Sequence, residues 1–148
     1  MRRVYIIRGL PGSGKSTIAK ELAKAAVADG LSVVIHTTDD YHMVDGKYQY
    51  DPAKASTYHK NNFLAFQRSC RKGIAVVICP NTNIHKGQYG RYEECAKEHG
   101  YTVFKIVMDE FSIRTAGRRT EHKMPENIIY GMKKDFEFDN KAVFWGHM

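Results

Sequence analysis

Short apolar runs alternate along the chain with longer segments that have helical periodicity. Residues 4–7, 31–37 and 74–79 form compact apolar runs that predict buried parallel strands. Residues 101–108 alternate more loosely and predict a fourth strand. The run at 74–79 is the most apolar in the chain, so we expect it to be a central strand.

The segments between these runs predict helices and one turn-rich loop. Helices are expected from Thr17 to a cap at Gly30, over 53–72, over 84–99 and from Pro125 onward, with a possible hairpin at Asp45-Gly46 and an uninformative tail after Phe138. This alternation predicts one α/β domain over residues 1–148. Its parallel sheet should hold about four to five strands, with helices on both faces.

Residues 9–16, Gly-Leu-Pro-Gly-Ser-Gly-Lys-Ser, follow the first strand and open the first helix. They match the phosphate-binding pattern G-x-x-x-x-G-K-[ST], in which glycines let the backbone N–H groups turn toward a phosphate. Lys15 is predicted to reach the outer phosphates, and Ser16 to offer its hydroxyl to Mg²⁺. The predicted ATP-binding set is Gly12, Ser13, Gly14, Lys15, Ser16 and Thr17.

Two carboxylates, Asp39 and Asp40, follow the second strand. Ligands bind at the carboxyl ends of strands in sheets of this kind, so both residues should lie near the phosphate loop. A phosphoryl-transfer enzyme needs a proton acceptor and help in holding Mg²⁺, and this pair offers both. The alternative is that either carboxylate caps the next turn. His42 lies just beyond, where a substrate phosphate or base would sit.

Asn81, Thr82 and Asn83 follow the central strand. Many phosphate-loop enzymes carry a carboxylate there for the metal's water shell, whereas Asn81 is neutral. Asn81 is able to position a water or a substrate oxygen but supplies no charge. The alternative is that the three residues only form a turn.

Residues 112–123 form a basic segment that holds Arg114, Arg118 and Arg119. Arginine stabilises the charge that develops on a transferring phosphoryl group. We therefore expect an arginine-rich lid that closes over ATP, with His122 as a possible member. The alternative is a solvated basic helix face.

The net charge of +7 suggests a polyanionic partner.

Three cysteines without a C-x-x-C pair predict free thiols in a reducing, cytoplasmic compartment. Because Met1-Arg2-Arg3 leads straight into the first strand, we expect no signal peptide, and no membrane partner is expected. The chain has no Asn-Lys-x-Asp guanine reader, which favours adenine or a non-selective site.

With these residues in place, the chain resembles the P-loop kinases typified by the 5′-kinase domain of bacteriophage polynucleotide kinase-phosphatase. The resemblance runs from Val4 to about Phe136. It depends on residues 8–17, Thr-Asp-Asp-Tyr at 38–41, Asn-Thr-Asn at 81–83, and Arg-Arg-Thr at 118–120 with His122 and Pro125. The chain is also similar to a eukaryotic branch of small ATP-binding proteins, through residues 45–52 with His59 and Asn62.

The resemblance implies that Asp39 is the general base for a polynucleotide 5′-hydroxyl. It also implies that Arg119, with Arg118, is the lid arginine on the transferring phosphate. Two positions depart from the phage pattern, because Asn81 replaces an Asp and His42 replaces a substrate-contacting Arg.

Three functions follow as hypotheses. The first is an ATP- and Mg²⁺-dependent kinase that phosphorylates 5′-hydroxyl ends of RNA or DNA. The second is a kinase of a nucleoside or small metabolite on the same scaffold. The third is a nucleotide-binding adaptor or repair-complex subunit with little catalysis, which Asn81 motivates.

Overall fold

The computed structural model of the chain describes residues 1–10, 12–81, 86–108 and 143–145. In chain order the elements are β1 (Arg3–Arg8), α1 (Lys15–Ala28), β2 (Val33–Ile35), a 3₁₀ turn (Thr38–His42), β3 (Met43–Val44), β4 (Lys47–Tyr48), α2 (Pro52–Lys72), β5 (Val76–Pro80), α3 (Lys86–Glu98), β6 (Thr102–Met108) and β7 (Val143–Trp145).

Five strands form one parallel sheet in the order β2-β5-β1-β6-β7. The first strand, β1, lies at the centre and pairs with β5 on one side and β6 on the other. Because all five strands run the same way, their carboxyl ends meet at one edge. The loop after β1, the turn after β2 and the start of the segment after β5 therefore converge there.

The two faces of the sheet are covered by different helices. Alternate residues of β1 point to opposite faces, so Val4 and Ile6 pack with Phe66 of α2, whereas Ile7 packs with Ala19 of α1. Helix α3 covers the same face as α2. This arrangement confirms the predicted α/β fold with helices on both faces.

The ends of α2 follow from its sequence. The Asp51 carboxylate accepts a hydrogen bond from the N–H of Ala53 at 3.0 Å, and Pro52 occupies the first turn. At the other end Gly73 adopts a left-handed φ of 71°, and Gly30 closes α1 in the same way at 73°. The predicted stops are confirmed.

The hairpin β3–β4 is also confirmed, and its turn residues Asp45 and Gly46 both have positive φ, as a type I′ turn requires. Two expectations were wrong. The strand predicted over 31–37 is only Val33–Ile35, half-buried at the edge of the sheet. The tail, expected to carry no information, contributes the strand β7.

The predicted basic lid and the helix from Pro125 lie outside the described residues. Within the described ranges, no helix combines the length and the apolar character needed to cross a membrane.

Candidate phosphate-binding and phosphoryl-transfer site

The phosphate loop connects the end of β1 to the start of α1. Gly12 and Gly14 have φ values of 77° and 100°, which residues other than glycine rarely adopt. The N–H of Ser13 donates to the carbonyl of Leu10 at 3.1 Å and tightens the turn. Gly14 has no side chain to cap α1, so the helix's first N–H groups and its positive dipole end are left for an anion. Pro11 lies outside the described residues.

Gly9 seats the loop against the sheet. A Cβ at this position would lie 2.5 Å from Ser13 Oγ and 2.9 Å from Met108 Cβ of β6. Both separations are far shorter than a van der Waals contact between such atoms, so only glycine fits here without movement of its neighbours. The first glycine of the phosphate-binding pattern is therefore required by its close packing against Ser13 and Met108.

Lys15 folds back over this loop. Its Nζ donates to the carbonyls of Gly9 and Leu10, at 2.9 Å each. Burial lowers the pKa of Lys15 from 10.5 to about 8, and the negative charge of Asp39 partly opposes this change. The ammonium group thus lacks full charge compensation, which a phosphate in the loop would provide.

Ser16 and Thr17 follow in the first turn of α1, and both are exposed. No cluster of three His, Cys, Asp or Glu side chains within the described ranges is arranged to hold a metal ion. Mg²⁺ is commonly held by one or two protein groups together with phosphate oxygens and water. The Ser16 hydroxyl fits that mode.

Asp39 lies on the turn that follows β2. The Oγ1 of Thr37 caps this turn by accepting the N–H of Asp39 at 3.3 Å. The Asp39 carboxylate acts electrostatically on Lys15, Tyr48 and His59, where it raises each pKa. Because the turn after β2 and the loop after β1 lie at the same edge of the parallel sheet, the structure places the phosphate-loop lysine and the predicted general base at one edge, although they are 24 positions apart in sequence.

Asn81 fixes the position of this turn. Its Oδ1 accepts hydrogen bonds from the N–H of Thr38 at 2.9 Å, from Thr38 Oγ1 at 3.2 Å and from Thr37 Oγ1 at 3.4 Å. Asn81 is only 5% exposed. Its side-chain oxygen, predicted to position a water or a substrate, instead joins the end of β5 to the residues that precede Asp39.

Asp40 and His42, which the sequence also places at the site, differ in exposure. Asp40 is exposed on the outer side of the turn. His42 is only 4% exposed, and its ring contacts those of Tyr48, Tyr50 and Tyr58 at 5.7, 5.0 and 4.7 Å between centroids. These ring contacts account for the burial of His42, whose contact with a substrate stays a prediction.

This group of tyrosines was not predicted from the sequence as part of the site. Four of the nine tyrosines in the chain fall between positions 41 and 58, and this local density was the available signal. Tyr41 stacks on Tyr58 at 5.7 Å between centroids. His59, named above only for the resemblance, has a pKa lowered by burial and by the nearby Arg91 and His42, against the opposing charge of Asp39.

Arg8 was quoted only as part of the loop motif, yet it is fully buried. Its guanidinium lies 4.3 Å from the centre of the Tyr89 ring of α3, a cation–π contact next to the phosphate loop. The arrangement buries a positive charge at the end of β1, one residue before the loop begins. Thr82, Asn83, Arg114, Arg118 and Arg119 lie outside the described residues and stay predictions.

A family model described as "Chromatin associated protein KTI12" matches residues 4–147 of the chain. NEDD4-binding protein 2 of Homo sapiens is 31% identical over 137 residues, which cover 90% of this chain and 8% of that protein. The chain thus spans less than a tenth of that relative's length.

Two solved structures have similar folds. Kti12 of Chaetomium thermophilum, in complex with ADP-AlF3, gives a TM-score of 0.68 at 16% identity, covering 97% of this chain and 88% of that one. A chain of the Pnkp1/Rnl/Hen1 RNA repair complex gives 0.69 at 18% identity, covering 95% and 47%. At these identities the likeness shows the fold alone, which is the predicted P-loop kinase fold.

Proposed function

The chain belongs to the KTI12 family, and we propose that it transfers the γ-phosphate of ATP to the 5′-hydroxyl end of a polynucleotide. The observation that carries this proposal is the position of Asp39, on the turn that follows β2, at the same edge of the parallel sheet as the phosphate loop that follows β1. A carboxylate that shares a site with the phosphate-loop lysine is suited to take a proton from an alcohol attacking the terminal phosphorus. The kinase-like fold and the family support nucleotide binding.

In the proposed reaction, Lys15 and the loop N–H groups hold the phosphates. Asp39 accepts the proton of the 5′-hydroxyl as its oxygen bonds to the γ-phosphorus, and the bond from that phosphorus to the β–γ bridging oxygen breaks to release ADP. Ser16 would offer a ligand to Mg²⁺, which supplies charge neutralisation at the phosphate oxygens. From the sequence, Arg118 and Arg119 would stabilise the transferring group.

Four features support a polynucleotide as the acceptor. The net charge is +7, more than a nucleotide site alone requires. The exposed Arg91 lies on α3, near enough to His59 to lower its pKa. One structural neighbour is part of an RNA repair complex. The motifs that resemble polynucleotide 5′-kinase point to the same acceptor class.

The test is incubation with γ-³²P-ATP and a panel of acceptors. The panel holds 5′-hydroxyl RNA and DNA oligonucleotides, the same oligonucleotides with a 5′-phosphate, nucleosides and small alcohols. We expect label only on 5′-hydroxyl oligonucleotides, with acceptor binding that weakens steeply as salt rises. Label on nucleosides or alcohols alone would instead identify a small-molecule kinase.

A nucleotide-binding adaptor is the second candidate, because Asn81 is neutral and its side-chain oxygen is engaged by Thr37 and Thr38. Such a site would bind ATP without a charged group at the end of the central strand. Intact ATP binding with no label on any acceptor in the panel would favour this candidate.

A further inference from the structure

The stacked pair of Tyr41 and Tyr58, here called the tyrosine platform, lies next to the turn that carries Asp39. The two rings lie 5.7 Å apart at 27°, and both residues are half-buried. Within the described residues, Tyr58 is the only aromatic ring that contacts Tyr41. His42 supports the platform from the side, with its ring edge-on to Tyr58 at 4.7 Å. The second face of Tyr41 therefore has no aromatic neighbour in that part of the chain.

The platform lies beside the proposed general base. Tyr41 is two residues after Asp39 in the same 3₁₀ turn, and Tyr58 lies in the second turn of α2. The charge of Asp39 acts on Tyr48 and His59, which adjoin the platform through His42 and along α2. A group that stacks on Tyr41 would thus lie close to the alcohol that Asp39 deprotonates.

Arg91 supplies positive charge on the same side of the sheet. Its guanidinium lies 4.9 Å from the centre of the Phe63 ring, which holds it toward α2, and it acts electrostatically on His59. Among the residues that the structure describes, Arg91 forms no ion pair, whereas the neighbouring Glu93 pairs with Lys97 and Lys105. Arg91 is exposed and available to an anion.

We propose that the tyrosine platform stacks the 5′-terminal base of a single-stranded acceptor and that Arg91 binds the phosphate on the 3′ side of that nucleotide. The inference rests on the proposed function and adds to it a requirement for a base and a following phosphate. Aromatic side chains bind single-stranded nucleic acid in this way because every base has a face that stacks. An arginine on the following phosphate sets the position of the strand without reading its sequence.

Binding of a fluorescent 5′-hydroxyl oligonucleotide, followed by anisotropy, tests the platform without any need for phosphoryl transfer. Tyr41→Leu should weaken binding about tenfold, because one stacking contact is lost, while Tyr41→Phe should stay within about twofold of the unchanged protein. The control is Phe104→Leu, which removes one ring of the Tyr5–Phe104 stack elsewhere on the sheet, at 5.3 Å and 24°. It should leave oligonucleotide binding unchanged.

A second oligonucleotide whose 5′-terminal nucleotide lacks its base makes the test specific. It should bind the unchanged protein about tenfold more weakly, and Tyr41→Leu should weaken its binding no further, since the same contact is already absent. If the losses from Tyr41→Leu and from the missing base simply multiply, the platform does not contact that base and the inference fails.

Arg91→Gln tests the phosphate contact. Its binding should depend less on salt, with the slope of log affinity against log salt reduced by about one. The matched control is Arg71→Gln, an exposed arginine in the last turn of α2, at the opposite end of that helix from Tyr58. If the slope of log affinity against log salt is the same for both variants and the unchanged protein, Arg91 does not bind the phosphate.

These results separate the inference from the proposed function. Binding that depends on Tyr41 without any transfer of label would uphold the platform and refute the kinase. Transfer to oligonucleotides that is unaffected by Tyr41→Leu would uphold the kinase and refute the platform. If the unchanged protein binds no single-stranded oligonucleotide, the platform is refuted directly.

Discussion

Asn81→Ala should destabilise both the fold and the candidate phosphoryl-transfer site. The Asn81 Oδ1 is the shared acceptor for the N–H of Thr38 and for the hydroxyls of Thr38 and Thr37. The substitution leaves a buried N–H at 2.9 Å without its acceptor, and it frees the turn that carries Asp39. Both the stability and the proposed phosphoryl transfer should therefore fall.

The magnitude follows from these contacts. A net hydrogen bond contributes about 1 kcal/mol, and a buried donor left unsatisfied costs about 1–3 kcal/mol. Loss of the short N–H bond should account for most of this cost. The longer hydroxyl bonds should contribute less to it, because hydroxyls rotate to other acceptors. The free energy of unfolding should then fall by roughly 2–4 kcal/mol, which lowers Tm by about 4–16 °C in a domain of this size.

Thermal melting by circular dichroism measures this loss. Thr38→Val serves as the graded control, since it keeps the N–H bond to Asn81 and removes only the hydroxyl bond at 3.2 Å. It should lose about 1 kcal/mol. If Asn81→Ala melts no lower than Thr38→Val, Asn81 does not hold the turn and the reasoning is wrong.

The remaining predictions concern the phosphate loop. Gly9→Ala should lower the free energy of unfolding by about 1–3 kcal/mol, because its Cβ would overlap Ser13 and Met108. Gly87→Ala, with open space around its Cβ, should stabilise α3 slightly. Urea unfolding compares the two variants. Lys15 releases its proton at about pH 8 in the fold and at 10.5 when unfolded, so between these values the unfolded chain binds more protons and stability should rise with pH. ATP affinity needs the charged Lys15 and should fall above about pH 8 in a calorimetric titration; a flat profile would refute the assignment. Asp39→Asn removes a charge that raises this pKa, so the fall in affinity should begin at lower pH.

The sequence was sufficient for the fold where local signals agree. Compact apolar runs specify strands. Helix ends are specified by Gly30 and Gly73, and the hairpin turn is specified by the Asp45-Gly46 pair. The strand β7 was missed because its three residues, Val143–Trp145, are too short for a periodic pattern and are defined only by pairing with β6.

The site was predictable where one motif brings its parts together, and not where tertiary contacts do. The phosphate loop is continuous in sequence, so its motif alone indicates Lys15 as a phosphate-binding residue. The role of Asn81 depends on hydrogen bonds across 43 positions to Thr38, which no local pattern reveals. The tyrosine platform likewise joins Tyr41 of the turn to Tyr58 of α2.

The most direct test of the central claim is a crystal structure with a non-hydrolysable ATP analogue, Mg²⁺ and a 5′-hydroxyl oligonucleotide. We expect the terminal phosphate against Lys15 and the loop N–H groups, with the Asp39 carboxylate about 2.6–3.2 Å from the 5′-oxygen. A carboxylate turned away from that oxygen, with no other acid beside it, would contradict the account.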